Sequence, residues 1–315
     1  METPSTRLSY AEPRYASSLH ELGESCELAL CGGWILVRKI PGSRYRNAIG
    51  CCPLFACRDW TKLHKDLEQV NLDFVSLTVV TDPLAGMAPA YLEQCFGVFR
   101  PFDIHYLVDL SYPLRSFIGR IHRKNARKSL DVMDVEVCHQ PVQYLDERLR
   151  LYDNLIDKHN IKGLNAFSAK CFEIQLRIPR ITILHGRREG RIVGATLVLV
   201  QDEVAHSHLS AYTPEGYKIR ASYGTYGKAL VYGCEQGILY FNLDGTAGIK
   251  ENPLDGLAEF KRGWSNERRM TYFCKRVFDW HKYESICQQY QIANVDYFPA
   301  HRAGEFNAYA KKHLS

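Results

Sequence analysis

The sequence lacks any long hydrophobic run. Its longest apolar stretch, residues 192–200 (IVGATLVLV), is far shorter than the ~20 residues of a membrane-spanning helix. Residues 1–20 contain acidic residues and no apolar core of the kind found in a secretory signal. We therefore expect a cytoplasmic protein with no stable membrane insertion.

Metal-binding cysteine spacings are also missing. None of the eleven cysteines forms a C-x-x-C pair, and the adjacent Cys51 and Cys52 are poorly placed for a structural zinc or a simple disulfide. The sequence predicts reduced, mostly buried thiols and no bound metal. A catalytic cysteine remains an open alternative.

The excess of positive charge is small, with 40 Lys and Arg against 35 Asp and Glu. A net charge of +5 does not by itself indicate nucleic acid, and we expect no DNA partner. The basic residues are concentrated in a predicted helix over Leu114–Leu130, with Phe117, Ile121 and Leu130 facing inward. Arg120, Arg123 or Lys124, and Arg127 share one face, which fits either a polyanion contact or a solvated connecting helix.

Strand-like and helix-like segments alternate twice along the chain, which predicts a mixed α/β sheet in each half. We place the division near residues 130–134, giving an N-terminal domain over 1–132 and a C-terminal domain over 133–315. The clearest predicted strands are Trp34–Ile40, Phe74–Val80, His105–Leu110, Ile181–His185, Ile192–Gln201, His206–Tyr212 and Tyr240–Leu243. The clearest predicted helices are Trp60–Val70, Ala88–Cys95, Tyr144–His159, Ser168–Arg177 and Tyr226–Gln236.

Two glycines precede the last of these helices. Gly224 and Gly227 would let backbone amides approach an anion at the helix N-terminus. Arg220 to Tyr226 fits the pyrophosphate loop of GNAT enzymes poorly, so either a degenerate loop of that kind or a flexible loop explains it.

The most specific motif follows the strand that ends at Asn242-Leu243-Asp244-Gly245. A glycine-rich loop with Gly245, Gly248 and Gly256 leads into the sequence GLAEFKRGW, residues 256–264. This order resembles the Fem family of peptidoglycan interpeptide-bridge transferases, whose members carry G-L-x-x-F-K-x-G-F/W after such a strand. Residues 123–129 (RKNARKS), 105–111 (HYLVDLS) and 81–83 (TDP) are similar to further family motifs, and the resemblance covers roughly 34–280.

This resemblance implies two GNAT-like domains in tandem and transfer of an aminoacyl group from aminoacyl-tRNA to an amine. No tightly bound cofactor is implied, because the aminoacyl-tRNA is a co-substrate. Lys261 would contact the oxyanion or the terminal nucleotide, and Phe260 would shape the acyl channel. Asp244 would orient the amine or accept its proton, or would only cap a turn.

The remaining candidates fall into two groups. We expect donor or tRNA contacts from Arg120, Arg123, Lys124, Arg127, Lys128, Arg262, Arg268 and Arg269. We expect substrate contacts from Arg220, Tyr223, Gly224, Tyr226, Gly245 and Trp264.

The resemblance implies that the acceptor is a small amine or peptide, from a cell-wall precursor or a natural product. Family members that bind a UDP-linked precursor carry a lysine upstream of the first-strand G-W, whereas no Lys or Arg lies between Arg14 and Arg38 here. Two other functions stay open: an acyl-CoA-dependent N-acyltransferase, and a non-catalytic RNA-binding or scaffold protein with the same fold.

Overall fold

The chain forms two compact units in the computed structural model, which describes residues 10–70, 74–159, 161, 166–246, 256–290 and 297–303. The central unit contains the described residues within 103–161 and 168–270. The terminal unit contains those within 10–102, 166–167 and 271–303. None of the described helices is long and apolar enough to cross a membrane.

The terminal unit has a five-stranded sheet in the order β1-β2-β3-β4-β11. β3 and β4 are parallel, and the other pairs with a printed register (β1–β2, β2–β3 and β4–β11) are antiparallel. Its elements are α1 (Pro13–Ser18), β1 (Glu24–Leu28), β2 (Gly33–Lys39), β3 (Arg46–Gly50), α2 (Leu63–Gln69), β4 (Ser76–Val80), α3 (Pro89–Phe96), the start of β5 (Val98–Asp109), the end of β11 (Glu267–Val277) and α11 (Trp280–Gln289). Cys31, Ile35, Leu67, Phe96 and Cys274 lie in its main core.

The central unit has a six-stranded sheet in the order β5-β10-β9-β8-β7-β6. Only β10 and β9 are parallel among its registered pairs. Its elements are the later part of β5, α4 (Leu114–Phe117), α5 (Arg120–Leu130), β6 (Asp134–Cys138), α6 (Leu145–His159), α7 (Ala169–Gln175), β7 (Ile181–Arg188), β8 (Arg191–Gln201), β9 (Val204–Tyr212), α8 (Pro214–Lys218), α9 (Ala221–Glu235), β10 (Tyr240–Asn242), α10 (Gly256–Arg262) and the start of β11.

Helix α5 packs closely against α9, because glycines of α9 leave room for it. A Cβ on Gly224 would lie 2.4 Å from Met133 Cε and 3.0 Å from Ser129 Oγ. At the start of α9, Arg220 has left-handed backbone angles (φ 57°, ψ 41°), and its guanidinium donates to Asn125 Oδ1. These contacts hold the start of α9 against the middle and the end of α5.

The division predicted at 132/133 differs from the observed units, since it falls between α5 and β6 inside the central unit. The packing of α5 on α9 explains the difference. A helix that reads as a linker in sequence is part of the same core as the strands that follow it.

The basic segment is not one helix. Ile118 and Gly119 have extended backbone angles (ψ 124° and 143°), which separate the single turn of α4 from α5. The prediction that Ile121 faces inward was wrong, because its side chain is 69% exposed. The buried face of α5 is instead polar and carries His122, Asn125 and Ser129.

The predicted start of the last long helix was also wrong: α9 begins at Ala221 rather than Tyr226, so Gly224 lies inside the helix. Most of the other predicted strands and helices are confirmed within a few residues of their ends. Sequence patterns did not identify β1, β6, β11 or α11. Most of the eleven thiols are buried, as expected.

Candidate active site

A cavity of about 380 Å³ in the central unit lies where three separate segments meet. Its walls are the start of α5 (Gly119–His122), Tyr223 from the first turn of α9, and Gly256, Glu259 and Phe260 from α10. The fold therefore brings the predicted Phe260 and Arg120 to one cavity, although 139 positions separate them in the sequence. Gly248, predicted in the preceding loop, lies outside the described residues.

Aromatic side chains form one wall of this cavity. The Phe260 ring lies 5.0 Å from both Tyr223 and Tyr226, in edge-to-face arrangements. Trp264, only 1% exposed, supports the wall from behind with its ring 6.3 Å from Phe260. Edge-to-face contacts are the favoured geometry for such rings, so these contacts stabilise the wall.

His122 is a site residue that sequence reasoning missed. Its Nε2 donates to the backbone oxygen of Phe260 at 2.9 Å, and its ring lies edge-on to Trp264 at 5.3 Å. Burial lowers the pKa of His122 below its ordinary value, which favours the neutral ring. A Cβ on Gly263 would lie 1.9 Å from His122 Cε1, so the glycine of the GLAEFKRG motif makes room for this histidine.

Lys261 points away from the aromatic wall, as the next residue along α10 must. Its side chain is buried, with 6% exposure, and its Nζ donates to the backbone oxygen of Gly245. The ammonium group therefore lies at the end of β10, next to the Asp244-Gly245 turn. Burying a lysine is unfavourable unless it is paired, which makes this position a functional candidate.

Asp244 adopts a left-handed conformation (φ 72°) at that turn. Its Oδ1 lies 3.4 Å from His105 Nε2 and accepts the Gly245 N–H at 2.9 Å. Burial tends to raise the pKa of Asp244, but the positive charge of Lys261 and the imidazole of His105 outweigh it and hold the pKa below 3.8. The carboxylate is ionised, and its side chain is 41% exposed.

Asn242 and His105 hold this turn in place, and neither was predicted. Asn242 Oδ1 accepts the Asp244 N–H at 2.8 Å and lies 3.2 Å from His105 Nδ1. Because Asn242 satisfies the backbone of the turn, the Asp244 carboxylate remains partly available to a ligand. Their signal in the sequence was weak, since both lie within ordinary buried strands.

Gly245 is required by a close approach of Asp103. A Cβ on Gly245 would lie 1.9 Å from Asp103 Oδ2. The same carboxylate accepts the Thr246 N–H at 3.0 Å and the Thr246 hydroxyl at 3.2 Å. Burial raises the pKa of Asp103. The backbone oxygen of Gly245 thus accepts a hydrogen bond from Lys261, and the absence of a Cβ on Gly245 leaves room for Asp103.

Three of the predicted substrate-binding residues contact other residues of the protein and do not face an open cavity. Arg220 is held by Asn125, and the bare Cα of Gly224 faces Met133 and Ser129 rather than a ligand. Tyr226 donates or accepts through its hydroxyl at 2.9 Å from Ser207 Oγ, and its ring packs on Phe260. The expected anion loop in front of the helix is absent from this described segment, since α9 already includes Gly224.

The basic residues divide into exposed groups and groups with internal contacts. Those that lie exposed on α5, α10 and β11 are Arg120, Lys124, Arg127, Lys128, Arg262 and Arg268. Arg123 donates to the Arg115 oxygen at 3.1 Å and to the Ile118 oxygen. Arg269 pairs with Glu267 at 2.6 Å and lies over the Tyr240 ring. We call Arg120, Lys124, Arg127 and Lys128 the basic stripe.

A buried histidine near Asp244, His208, was also not predicted from the sequence. His208 sits at a bulge in β9, and its Nε2 lies 3.2 Å from Gln175 Oε1. Burial, with the nearby Arg148 charge, lowers the pKa of His208 to about 3. Arg148, 1% exposed, donates to the Leu209 oxygen at 3.3 Å, and no carboxylate among the described residues pairs with it. Bulges and buried charges of this kind are frequent beside active sites.

No group of three or more His, Cys, Asp or Glu residues in the described part of the chain could hold a metal ion. The described groups at this site are the buried ammonium of Lys261, the ionised carboxylate of Asp244 and the imidazoles of His105 and His122.

Comparison with solved structures relates this fold to that of FemX. FemX matches with a TM-score of 0.67 and 11% identity, over 87% of this chain and 93% of FemX. The C-terminal domain of a putative lysylphosphatidylglycerol synthetase from Agrobacterium fabrum matches with 0.60 and 16%, over 85% and 88%. L-PGS from Bacillus licheniformis matches with 0.53 and 14%, over 93% and 100%.

No protein-family model and no curated protein sequence matches the chain. The structural similarities confirm the predicted fold, the tandem GNAT-like α/β fold of the Fem proteins.

The substitution Asp244→Asn tests the electrostatics of the turn, because Asn tolerates the left-handed conformation. The pKa of Asp244 is depressed below 3.8, so its ionised form stabilises the fold above that pH and loses this effect as the pH falls. We expect the variant to melt at a lower temperature than the wild type near pH 7, with the difference shrinking towards pH 3. Thermal unfolding across this range is the measurement, and a difference that grows on acidification would contradict the assignment.

Proposed function

We propose that this protein is an aminoacyl-tRNA-dependent aminoacyltransferase that forms an amide bond on an amine-bearing acceptor. The observation that carries the proposal is the position of Phe260 and Lys261. Phe260 lines a cavity that begins at Arg120 of the basic stripe, while Lys261 is buried against Gly245 beside the ionised Asp244. The similarity of the fold to FemX supports it.

The cavity suits the aminoacylated end of a tRNA. Its aromatic wall of Tyr223 and Phe260 offers rings on which a terminal base can stack. The stripe on α5 leads away from Arg120, which lines the cavity, and its exposed cations can contact successive phosphates. The acceptor arm would follow α5, with the terminal base at Phe260 and the ester reaching beyond it towards Lys261.

The reaction requires a nucleophile, a stabilised oxyanion and a path for one proton. The acceptor nitrogen attacks the ester carbonyl, which forms the C–N bond and a tetrahedral oxyanion. Lys261 stabilises that negative charge, as a preorganised donor does. Collapse breaks the C–O bond to the ribose, and the proton lost by the amine reaches the ribose oxygen. Asp244 holds the amine or carries this proton.

An acyl-CoA donor is less well supported, because several backbone amides in the segment before α9 already donate to acceptors within that segment. Residues 214–218 form the short helix α8, capped by the Thr213 hydroxyl on the Gly216 N–H at 3.0 Å. The N–H groups of Tyr217, Ile219 and Arg220 donate to backbone oxygens of the same segment. A Cβ on Gly216 would lie 2.1 Å from the Val193 oxygen, so this glycine packs against β8.

A non-catalytic RNA-binding protein would use the same basic stripe and would not need a buried ammonium at the end of β10. Tight binding of charged tRNA without turnover, across many amines, would favour that function.

The donor is tested by treating charged total tRNA with RNase before adding enzyme and a panel of amines and short peptides. We expect a new amide product, detected by mass spectrometry, that disappears after RNase treatment. A parallel reaction with acetyl-CoA should give no product. Product formation that RNase leaves undiminished would overturn the tRNA proposal and favour acyl-CoA.

Lys261→Met removes the ammonium while keeping an unbranched side chain in the buried position. We expect kcat/KM to fall by ~10²–10³-fold, since a single oxyanion donor supplies about that much. Lys228→Met, which removes an exposed lysine from α9, is the control and should retain activity. If Lys261→Met folds normally, judged by its melting temperature, and keeps near-wild-type kcat/KM, the electrostatic role is wrong.

A further inference from the structure

The terminal unit contains a larger cavity, of about 750 Å³, which the proposed function does not use. It lies between the end of α3, the start of β5, the end of β11, the first turns of α11 and residues 297–300. This volume falls within the range of small-molecule sites. The lining residues that matter below are Arg100, Phe273, Lys275, Trp280, Tyr283 and Phe298.

The cavity runs along the end of β11. Its lining extends from Phe273, which pairs with Val80 at the end of β4, to Val277, which pairs with Ser76 at the start of β4. It is a separate site, on a different unit from Phe260 and Lys261.

Two cations face this cavity while keeping their hydrogen-bond donors available. The guanidinium of Arg100 lies 5.4 Å from the Phe273 ring centre, and the ammonium of Lys275 lies 5.3 Å from that of Phe298. Neither forms an ion pair with a carboxylate in the described part of the chain. The rings orient the cations without neutralising them, because a cation–π contact leaves the charge in place.

The cavity has an excess of positive charge. Arg276 also lines it and donates to the Cys95 oxygen at 2.7 Å, while Glu93 is the only acidic residue among the described lining residues. An uncompensated cluster of this sign attracts anions and discriminates against cationic ligands.

Aromatic rings line the cavity next to these cations. Tyr283 stacks on Phe298, with ring centres 5.5 Å apart and planes at 25°. Trp280 lies edge-on to Tyr283 at 5.9 Å, and its indole is 62% exposed. A tryptophan left in water at the mouth of a cavity is typical of a surface that a ligand covers.

We propose that this cavity binds a small aromatic anion, a planar ring that carries a phosphate or a carboxylate. The ring packs against the exposed indole of Trp280 and the edge of the Tyr283–Phe298 stack, and the anionic group contacts Lys275 and Arg100. Charge-assisted hydrogen bonds fix the anion, and ring contacts exclude ligands without a flat apolar part.

The test uses protein labelled with 5-fluorotryptophan, because the chain has four tryptophans and only Trp280 lines this cavity. The ¹⁹F resonance of Trp280 is assigned as the one missing from Trp280→Phe. The probes are 1-naphthyl phosphate and 1-naphthylacetate, which compare the two anionic groups on one ring. Naphthylmethanol supplies the ring without charge, and inorganic phosphate supplies charge without the ring.

We expect saturable shifts of the Trp280 resonance with one or both naphthyl anions, and much weaker effects from the two partial probes. Lys275→Gln should weaken binding at least about tenfold, since it removes a charge-assisted contact. Lys65→Gln, which removes an exposed lysine elsewhere on the same unit, should bind as the wild type does.

The proposal is overturned if neither anion saturates by about 10 mM, if the Trp264 resonance responds instead, or if Lys275→Gln and Lys65→Gln bind equally. Lys261→Met protein should bind these probes normally. Failure of aminoacyl transfer would therefore leave this result unchanged, and the two proposals can fail separately.

Discussion

Close packing of α5 on α9 is the constraint on which the candidate site depends. The bare Cα of Gly224 admits Met133 and Ser129, and the Arg220–Asn125 contact holds the start of α9 against the middle of α5. His122, on the same buried face of α5, then lies where it can donate to the Phe260 oxygen. The position of α10, and with it the direction of Lys261, follows from that hydrogen bond and from the space at Gly263.

The electrostatics of the site follow from this geometry. Helix α10 places the ammonium group of Lys261 at the end of β10. At the same turn, Asp244 Oδ1 lies 3.4 Å from His105 Nε2. Buried charges are unfavourable for stability unless paired, and here the Lys261 ammonium and the Asp244 carboxylate lie at the same turn. The imidazoles of His122 and His208 have lowered pKa values, and neutral rings add no competing positive charge.

The fold class and part of the candidate site could be predicted from the sequence, where a motif or a residue type points directly to a structure or a chemical role. The GLAEFKRGW segment identified Phe260, Lys261 and Trp264, and alternation of strands and helices predicted the α/β class. The start of α9 was missed because Gly224 and Gly227 are weak helix formers, and tertiary packing on α5 overrides that local preference. Strand β11 was missed because its charged and apolar residues do not alternate cleanly, as its mostly half-buried positions show.

Residues whose roles depend only on their position in the fold could not be recognised from the sequence. His122 was hidden in a run of basic residues, and His105, Asn242 and Asp103 looked like ordinary strand residues. Their roles depend on contacts with the turn at Asp244 and Gly245, more than 130 positions along the chain from His105 and Asp103.

The most direct measurement is the affinity ratio between an aminoacylated and an uncharged tRNA acceptor minihelix, with the aminoacyl group held by a stable amide. Fluorescence anisotropy would compare the wild type with Phe260→Ala. We predict tighter binding of the aminoacylated minihelix by the wild type, loss of that preference in Phe260→Ala, and retention of the salt-dependent binding that the basic stripe supplies. An unchanged preference in Phe260→Ala, or no preference in the wild type, would contradict the assignment of this cavity as the donor site.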